Sequence, residues 1–567
     1  MSRIRRFTRP SLFAVLGLLL SWVISCASSS LPAAQTVPQP TSIITPSVTS
    51  TAINAIATTS ANSPSNKSLG MGLAGIADWS TQIPFLNLFK QARPWNWDNK
   101  TPNLDLDANG YPKSLKQKIE TPLMAGKHPL MPGRYVVLYE GEGTFDFFGA
   151  SINQSLSKPG RQVIDVNPGT EIVVLRLVTT NPNNHIRNIA VVKEKYEKLY
   201  QAGEVFNPDF IAKIKDFDTL RFMDWMGTNN SEQKDWQNRP KPTDYSWAKK
   251  GVPVEVMVAL CNKLKVNAWF NMPHLASDDY ITKFAQYVKA NLDPSLKAYV
   301  EYSNEAWNWQ FQQSQYGNVQ GRAKWPDRGD AWMQWNGMKS AQICDIWKKQ
   351  VFGEKEKNRV ACVMGTQTAW RGLEESVLQC PSWAAEGHEP CYKHGIDALA
   401  ITGYFSGDLG QQKNVEQVLS WRKDPDGGFE KAFTQLTKGG VLKDSKDTIQ
   451  TTIDAFAYFQ KVAQSKNLKL VAYEGGSHIV GIGDAVKNDQ LTEFLIAINK
   501  HPRMYDIYTE IFNGWKKAGG TLFNQFVDVG QPTKWGSWGA LDYVTQETSP
   551  KYKALLDFMG KNPKWWN

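Results

Sequence analysis

The chain has no long run of basic residues among its 567 positions, and its charge is spread thinly. Its formal net charge is +10, and setting aside the four arginines of the first 26 residues leaves about +6. A charge of this size on so long a chain is typical of solvated surface, and no basic run is interleaved with aromatic residues. Nucleic acid is therefore not an expected partner.

The apolar run near the amino terminus, from Leu12 to Ile24, is too short to cross a bilayer. It follows several arginines and leads into Val-Ile-Ser-Cys at Cys26, an order that resembles a bacterial lipobox. We interpret residues 1–26 as a lipoprotein signal peptide and Cys26 as the lipidated residue. Several acyl chains give a stable anchor, so the expected location is the cell envelope, on a membrane. An ordinary secretory signal with a chance cysteine is the alternative.

Cysteine is scarce, with six in the whole chain. Cys380 and Cys391 lie in one loop and can form a short disulfide in an oxidising export compartment. The remaining cysteines lie in apolar helix or strand patterns and are expected to be buried thiols: Cys261, Cys344 and Cys362.

Metal ligands at a recognised spacing are also lacking. His388 and His394 flank Cys391, but this spacing matches no zinc pattern. The sequence therefore predicts neither a metal site nor a cofactor.

The composition divides the chain into a tether and one large domain. Residues 27–68 are mostly Ser, Thr, Pro and Ala, cannot build a core and are predicted to be a disordered linker. Residues 69–567 are predicted to form one domain, because a barrel with insertions can absorb this length. Between 109 and 192, short alternating strands with Gly/Pro turns predict a small inserted β-sandwich, for which sugar binding and packing at the rim are both open.

Eight apolar strand patterns separated by helical patterns predict a (β/α)₈ barrel. The inserted sandwich lies between the first and second of them. The predicted strands end, in chain order, at or near Asp78, Arg221, His274, Glu305, Met364, Tyr404, Glu474 and Phe526.

Two of these strand ends carry carboxylates. The segment from Val300 to Trp309 reads Val-Glu-Tyr-Ser-Asn-Glu-Ala-Trp-Asn-Trp, a strand that ends at Glu305 in an aromatic loop. A second apolar strand ends at Glu474, which two glycines follow. Carboxyl ends of barrel strands open onto one cleft, and two carboxylates that face one bond are the minimum equipment for cleaving a glycoside. Glu301 precedes Glu305 by four residues and is expected to be a partner inside the barrel.

The positions that end these strands resemble those of the large clan of retaining glycoside hydrolases built on the (β/α)₈ barrel. That clan ends strand four in Asn-Glu and strand seven in Glu, as Asn304-Glu305 and Glu474 do here. The run Glu-Tyr-Ser-Asn-Glu followed by Trp-Asn is also similar to bacterial exported proteins commonly labelled cellulose-binding. Ala306 follows Glu305 where the commonest clan pattern has proline.

The resemblance implies a role for each of these residues. Glu305 would be the general acid/base, with the higher pKa, and Glu474 the nucleophile. Arg221 would keep Glu474 ionised, and Asn304 would hydrogen-bond the sugar 2-hydroxyl. The other side chains expected to bind substrate are Asp78, His274, Trp307, Tyr404 and either Trp535 or Trp538.

Two other functions are open besides a lipid-anchored retaining hydrolase of a β-linked polysaccharide. One is a non-catalytic carbohydrate-binding lipoprotein on the same barrel, and the other is a structural envelope protein whose barrel supports the insertion. The combination of two carboxylates, an asparagine and an arginine favours the enzyme. A monomer is expected, and the sequence does not determine the sugar or the linkage.

Overall fold

A computed structural model of the protein describes residues 67–98, 100–126 and 131–566. The predicted signal peptide, with Cys26, and nearly all of the predicted linker lie outside these residues. In the part of the chain that the structure describes, none of the helices combines the length and apolarity needed to cross a membrane.

The strands alternate with helices after an initial β-rich segment. The strands are β1 (Gly70–Gly72), β2 (Ile119–Ala125), β3 (Gly133–Glu140), β4 (Gly143–Phe148), β5 (Ser151–Ile152), β6 (Arg161–Val166), β7 (Ile172–Thr180), β8 (Arg187–Lys193), β9 (Thr219–Arg221), β10 (Asn267–Met272), β11 (Ala298–Tyr302), β12 (Val360–Gly365), β13 (Ile396–Phe405), β14 (Lys469–Ser477) and β15 (Asn524–Phe526).

The α-helices are α1 (Glu197–Gln201), α2 (Pro208–Ile214), α3 (Val254–Leu264), α4 (Asp278–Asn291), α5 (Gln312–Lys324), α6 (Ala331–Asp345), α7 (Gly353–Glu356), α8 (Leu373–Gln379), α9 (Pro381–Ala385), α10 (Val415–Ser420), α11 (Phe429–Thr437), α12 (Ile449–Ser465), α13 (Asp489–Lys500), α14 (Met504–Ala518) and α15 (Pro550–Lys561). A π-helical segment, Ile346–Phe352, continues α6.

Eight of the strands form one parallel sheet that closes on itself. Strands β9 to β14 follow one another in chain order, β1 lies beside β9, and β15 lies beside β1. The two edges meet where Ala472 pairs with Phe523 and the amide of Ala472 donates to the carbonyl of Leu522 at 2.9 Å. Helices connect successive strands, as parallel neighbours require. The predicted (β/α)₈ barrel is therefore confirmed.

The helix that begins after Ser277 shows how the sequence fixes one of these connections. The Ser277 hydroxyl accepts a hydrogen bond from the Tyr280 amide at 3.2 Å, which caps α4 at its first turn. Ile281, Phe284 and Val288 lie on its buried face. The helix then leads into β11, the strand before Glu305, all five residues of which are buried.

The β-rich segment between β1 and β9 forms two antiparallel sheets, β2-β7-β4 and β5-β6-β3-β8. Asn87, which precedes this segment in the chain, contacts the second sheet: its side-chain oxygen accepts from the amide of Val191, in β8, at 3.0 Å. The barrel therefore carries an inserted β-rich subdomain.

The first strand is shorter than the sequence indicated. We expected an apolar strand ending at Asp78, but β1 ends at Gly72. The strand ends early because the Ala74 amide donates to Asp528 Oδ1 at 3.0 Å instead of to a neighbouring strand. Asp528 lies near the far end of the chain.

The cysteines differ from expectation at one pair. Cys344 and Cys362, expected to be buried thiols, form a disulfide because α6 lies against β12 with their Cα atoms 5.8 Å apart. Cys380 and Cys391 are also bonded to each other, and Cys261 is a buried free thiol.

Candidate active site

A buried cation, Arg221, lies at the carboxyl end of β9 and joins three barrel strands. Its side chain is 1% exposed, and Nη1 donates to Glu474 Oε2 at 3.0 Å. Nη2 donates to Glu301 Oε2 at 2.9 Å and to Asn304 Oδ1 at 2.8 Å. One guanidinium is thus shared between two carboxyl groups, and its fixed fork sets the positions of both.

Glu301 is the residue that holds this guanidinium in place. Its Oε2 atom also accepts from Trp269 Nε1 at 2.9 Å and from Asn271 Nδ2 at 2.8 Å. It is 3% exposed, as expected for a partner inside the barrel. Because its hydrogen bonds are made to protein groups, Glu301 is a positioning residue for Arg221.

A β-bulge in β14 brings two neighbouring side chains into the same cleft. Ala472 pairs with Ile401 and Glu474 with Thr402, so that Tyr473 has no partner in the ladder. In a regular strand, neighbours point to opposite faces, whereas a bulge redirects them. The Tyr473 hydroxyl donates to Glu305 Oε1 at 2.8 Å, while Glu474 meets Arg221.

Glu305 lies in the loop after β11, where the backbone is strained. Ser303 and Glu305 have positive φ angles of 56° and 42°, in the left-handed region that side chains other than glycine seldom adopt. Asn308 Nδ2 donates to Glu305 Oε2 at 3.0 Å, and the Asn308 amide donates to the Glu305 carbonyl at 2.8 Å. Such strain is concentrated at functional sites, and here it aims a half-buried carboxyl group at Tyr473.

Burial decides the protonation of this carboxyl pair. Burial, together with the negative charge of Glu305, raises the pKa of Glu474 to about 8. Arg221 and the Tyr404 hydroxyl, which donates to Glu474 Oε1 at 3.0 Å, act in the opposite direction. We expected Arg221 to hold Glu474 ionised, but its charge is shared with Glu301 and burial outweighs it. We also expected the higher pKa on Glu305, but the raised pKa of Glu474 means that Glu474 holds a proton at neutral pH in the free protein.

A third carboxylate near the pair, Asp224, was missed in the sequence. It follows Arg221 by three residues and is half-buried. Burial raises its pKa to about 6, partly offset by Arg221, and its negative charge adds to the raised pKa of Glu474. In the sequence, nothing marks an aspartate three residues after the end of a strand as a candidate site residue.

The two tryptophans proposed as a sugar platform have different positions. Trp538 is half-buried, with its ring 5.8 Å from Tyr404 and 5.2 Å from His478. Trp535 accepts the Trp538 Nε1 hydrogen bond through its carbonyl at 3.0 Å, and its own ring is 38% exposed beneath Lys534. Trp538 therefore contacts Tyr404, which donates to Glu474, and Trp535 lies next to Trp538.

Asn304 and Trp307 also lie beside the pair. Asn304 accepts from Arg221, and its Nδ2 donates to Asn229 Oδ1 at 3.1 Å. The Trp307 ring contacts Tyr473 edge-on at 6.0 Å and covers Gly365, where a Cβ atom would lie 2.9 Å from the indole. Both residues are positioned from the loop that carries Glu305.

His274 and Asp78 lie in other surroundings. His274 is buried against the Tyr316 ring at 5.4 Å, and burial lowers its pKa to about 4, so the imidazole is neutral at neutral pH. Asp78 accepts from Arg93 Nε at 2.6 Å, and its carbonyl accepts from the Ala125 amide at 2.9 Å. Asp78 thus connects the loop after β1 to the inserted subdomain.

Comparisons with known proteins found several solved structures that this chain resembles weakly. No family model matches the chain, and no curated protein matches it. A xylanase from Thermotoga maritima has 11% identity and a TM-score of 0.32, with 62% of this chain and 89% of that chain covered. A broad-specificity endoglucanase from Bacteroides salanitronis has 13% identity and a TM-score of 0.34, with coverage of 63% and 85%. An exo-β-1,4-mannosidase from Opitutaceae bacterium strain TAV5 has 10% identity and a TM-score of 0.36, with coverage of 65% and 57%. These likenesses are too weak to assign the fold, and the barrel assignment rests on the closed sheet alone.

Proposed function

We propose that this protein is a retaining glycoside hydrolase acting on a β-linked polysaccharide, with Glu305 and Glu474 as its catalytic residues. The observation that carries the proposal is the convergence of these two carboxyl groups. Tyr473 donates to Glu305 while its neighbour Glu474 is held by Arg221 and Tyr404. Such a network supplies one proton and two carboxyl groups in one cleft, which is what double displacement needs.

The proposed reaction has two steps. Burial favours the proton on Glu474 in the free protein, so the proposed reaction first requires that this proton move to Glu305 when substrate binds. Glu305 then gives the proton to the glycosidic oxygen as the bond to the anomeric carbon breaks, and the Glu474 carboxylate forms an ester with that carbon. Glu305 then takes a proton from water, whose oxygen displaces Glu474 and restores both groups. Tyr473 and Asn308 stabilise the Glu305 carboxylate that the first step creates. Direct attack requires carboxyl groups roughly 5 to 5.5 Å apart.

We also propose that the enzyme is exported and attached to a membrane through Cys26. The charged start, the short apolar run and the Val-Ile-Ser-Cys order support this. The two disulfides, Cys344–Cys362 and Cys380–Cys391, add support because such bonds persist in oxidising compartments.

A test of the proposed function compares three proteins on a panel of β-glucans, mannans and xylans, with release of reducing ends as the readout. Wild type should cleave at least one polymer, and Glu474→Gln should bind that polymer without cleaving it. Glu374→Gln is the matched control. Glu374 lies on α8, is 1% exposed, and accepts hydrogen bonds from the Tyr458 hydroxyl and the Gly372 amide. The control variant should keep its activity.

The results distinguish a glycoside hydrolase from a non-catalytic carbohydrate-binding lipoprotein. Polymer binding by wild type without release of reducing ends from any polysaccharide would favour the carbohydrate-binding lipoprotein. Cleavage that survives in Glu474→Gln would refute the assignment of the nucleophile.

A further inference from the structure

Two exposed tryptophans lie beside the candidate site, on neighbouring loops of the barrel. Trp309 is 38% exposed and Trp370 is 52% exposed. Trp309 is in the loop after β11 and Trp370 in the loop after β12, and these strands are parallel neighbours. Both loops therefore leave the barrel at the end where Glu305 lies, the end that carries active sites in this fold.

A third tryptophan joins the two exposed rings into one cluster. Trp332 of α6 is 6% exposed, and its ring lies 5.0 Å from that of Trp309 and 6.3 Å from that of Trp370. We name the rings of Trp309, Trp332 and Trp370 the tryptophan platform. The buried ring fixes the two outer ones, so the platform presents an apolar surface of defined shape.

Covalent and polar links brace this platform. The Cys344–Cys362 disulfide bonds α6, which carries Trp332, to β12, whose following loop carries Trp370. Asp330, at the start of α6, accepts from the Ser376 hydroxyl of α8 at 2.7 Å. A braced surface loses little conformational freedom on binding, which favours affinity.

The platform shares a loop with one member of the carboxyl pair. Glu305, Trp307 and Trp309 belong to one loop, residues 303–311. Trp307 contacts Tyr473, which donates to Glu305. A chain bound across the carboxyl pair and running toward this loop meets the exposed rings next.

We propose that the tryptophan platform binds additional sugar units of the polysaccharide whose scissile bond lies between Glu305 and Glu474. The inference rests on the proposed function and adds that the substrate is a chain of several sugars. Flat aromatic rings match the C–H faces of pyranoses with equatorial linkages, such as β-1,4-linked glucose, mannose or xylose, and leave the hydroxyls in water. Affinity should therefore rise with chain length.

The experiment measures binding by calorimetry to full-length Glu474→Gln protein, which preserves the ligand. The probes are the β-1,4-linked dimers and hexamers of glucose, mannose and xylose. The hexamer of the cleaved sugar should bind more tightly than its dimer. Adding Trp309→Ala or Trp370→Ala should weaken hexamer binding about tenfold each, or about 1.4 kcal/mol, and leave dimer binding unchanged. Trp309→Phe should restore most of the affinity.

Phe148→Ala is the matched control, because Phe148 is an aromatic residue of the inserted sheet that is 52% exposed. It should change neither affinity. Unchanged hexamer binding in both tryptophan variants, or an equal loss for dimer and hexamer, would overturn the platform.

Activity of the wild type on polymers separates this inference from the proposed function. If wild type cleaves a polymer but its hexamer binds no more tightly than its dimer, the platform is wrong and the hydrolase stands. If wild type cleaves none of the polymers, both proposals fall.

Discussion

Replacing Tyr473 with phenylalanine removes one hydroxyl and keeps the ring that packs on Trp307 and lies 5.0 Å from the Arg221 guanidinium. Burial raises the pKa of Tyr473 well above its usual range, so the hydroxyl is protonated and donates to Glu305 at 2.8 Å. This hydrogen bond strengthens as Glu305 gives up its proton and becomes a carboxylate. Only such a strengthening contributes to kcat.

The size of the effect follows from that charge. A hydrogen bond to a charged group contributes about 1.5 to 3 kcal/mol, which corresponds to a fall in kcat of about 10- to 100-fold. The free energy of unfolding should change less, by about 1 kcal/mol, because Glu305 is half-buried and solvent can replace the lost donor. KM should stay close to the wild-type value.

The assay is release of reducing ends at saturating polysaccharide, with a thermal melt of each protein. Tyr508→Phe is the control. The Tyr508 hydroxyl, on α14, accepts from the amide of Ser477 at 3.1 Å, and Ser477 belongs to β14, the strand that carries Tyr473. The control variant should lower stability at least as much and leave kcat nearly unchanged. Wild-type kcat in Tyr473→Phe, or equal losses in both variants, would refute the role given to Tyr473.

Three further predictions concern pH, the anchor and a disulfide. Activity should fall above about pH 8, where the carboxyl pair loses its proton. Asp224→Asn removes one negative charge near Glu474 and should therefore shift this fall in activity to lower pH. A pH profile that does not shift would argue against the role of Asp224. Cys26→Ser should carry no acyl chains by mass spectrometry, and an acylated variant would end the anchor proposal. Cys380 and Cys391, 11 residues apart, should resist alkylation in unfolded, unreduced protein, and their reduction should lower the free energy of unfolding by up to about 3 kcal/mol; free alkylation would exclude the bond.

The parts of the site that the sequence indicated are those set by strand order. An acid at the end of an apolar strand is visible in the chain, and the barrel brings such ends together. Glu305 and Glu474 were predicted in this way, and Arg221 was predicted from the resemblance. In the structure Arg221 donates to Glu474, and Tyr473, the neighbour of Glu474, donates to Glu305. Glu301 was indicated by its spacing from Glu305 on the same strand.

The parts that the sequence did not indicate depend on contacts between distant segments. Tyr473 reaches the cleft only through a bulge set by the register with β13, which strand alternation does not predict. The end of β1 is fixed by Asp528, far away in the chain, and the Cys344–Cys362 bond requires α6 to pack on β12. The pKa of Glu474 likewise depends on how much burial the folded barrel imposes.

The most direct test of the central claim is to trap the glycosyl-enzyme and identify the residue that carries the sugar. A 2-fluoro glycoside with a good leaving group, matched to the cleaved polymer, slows the second step so that the ester accumulates. Peptide mass spectrometry of the inactivated wild type should find one sugar, on Glu474, and none on Glu474→Gln protein. A sugar on another residue, or a product of inverted anomeric configuration with no trapped ester, would contradict the mechanism proposed for this barrel.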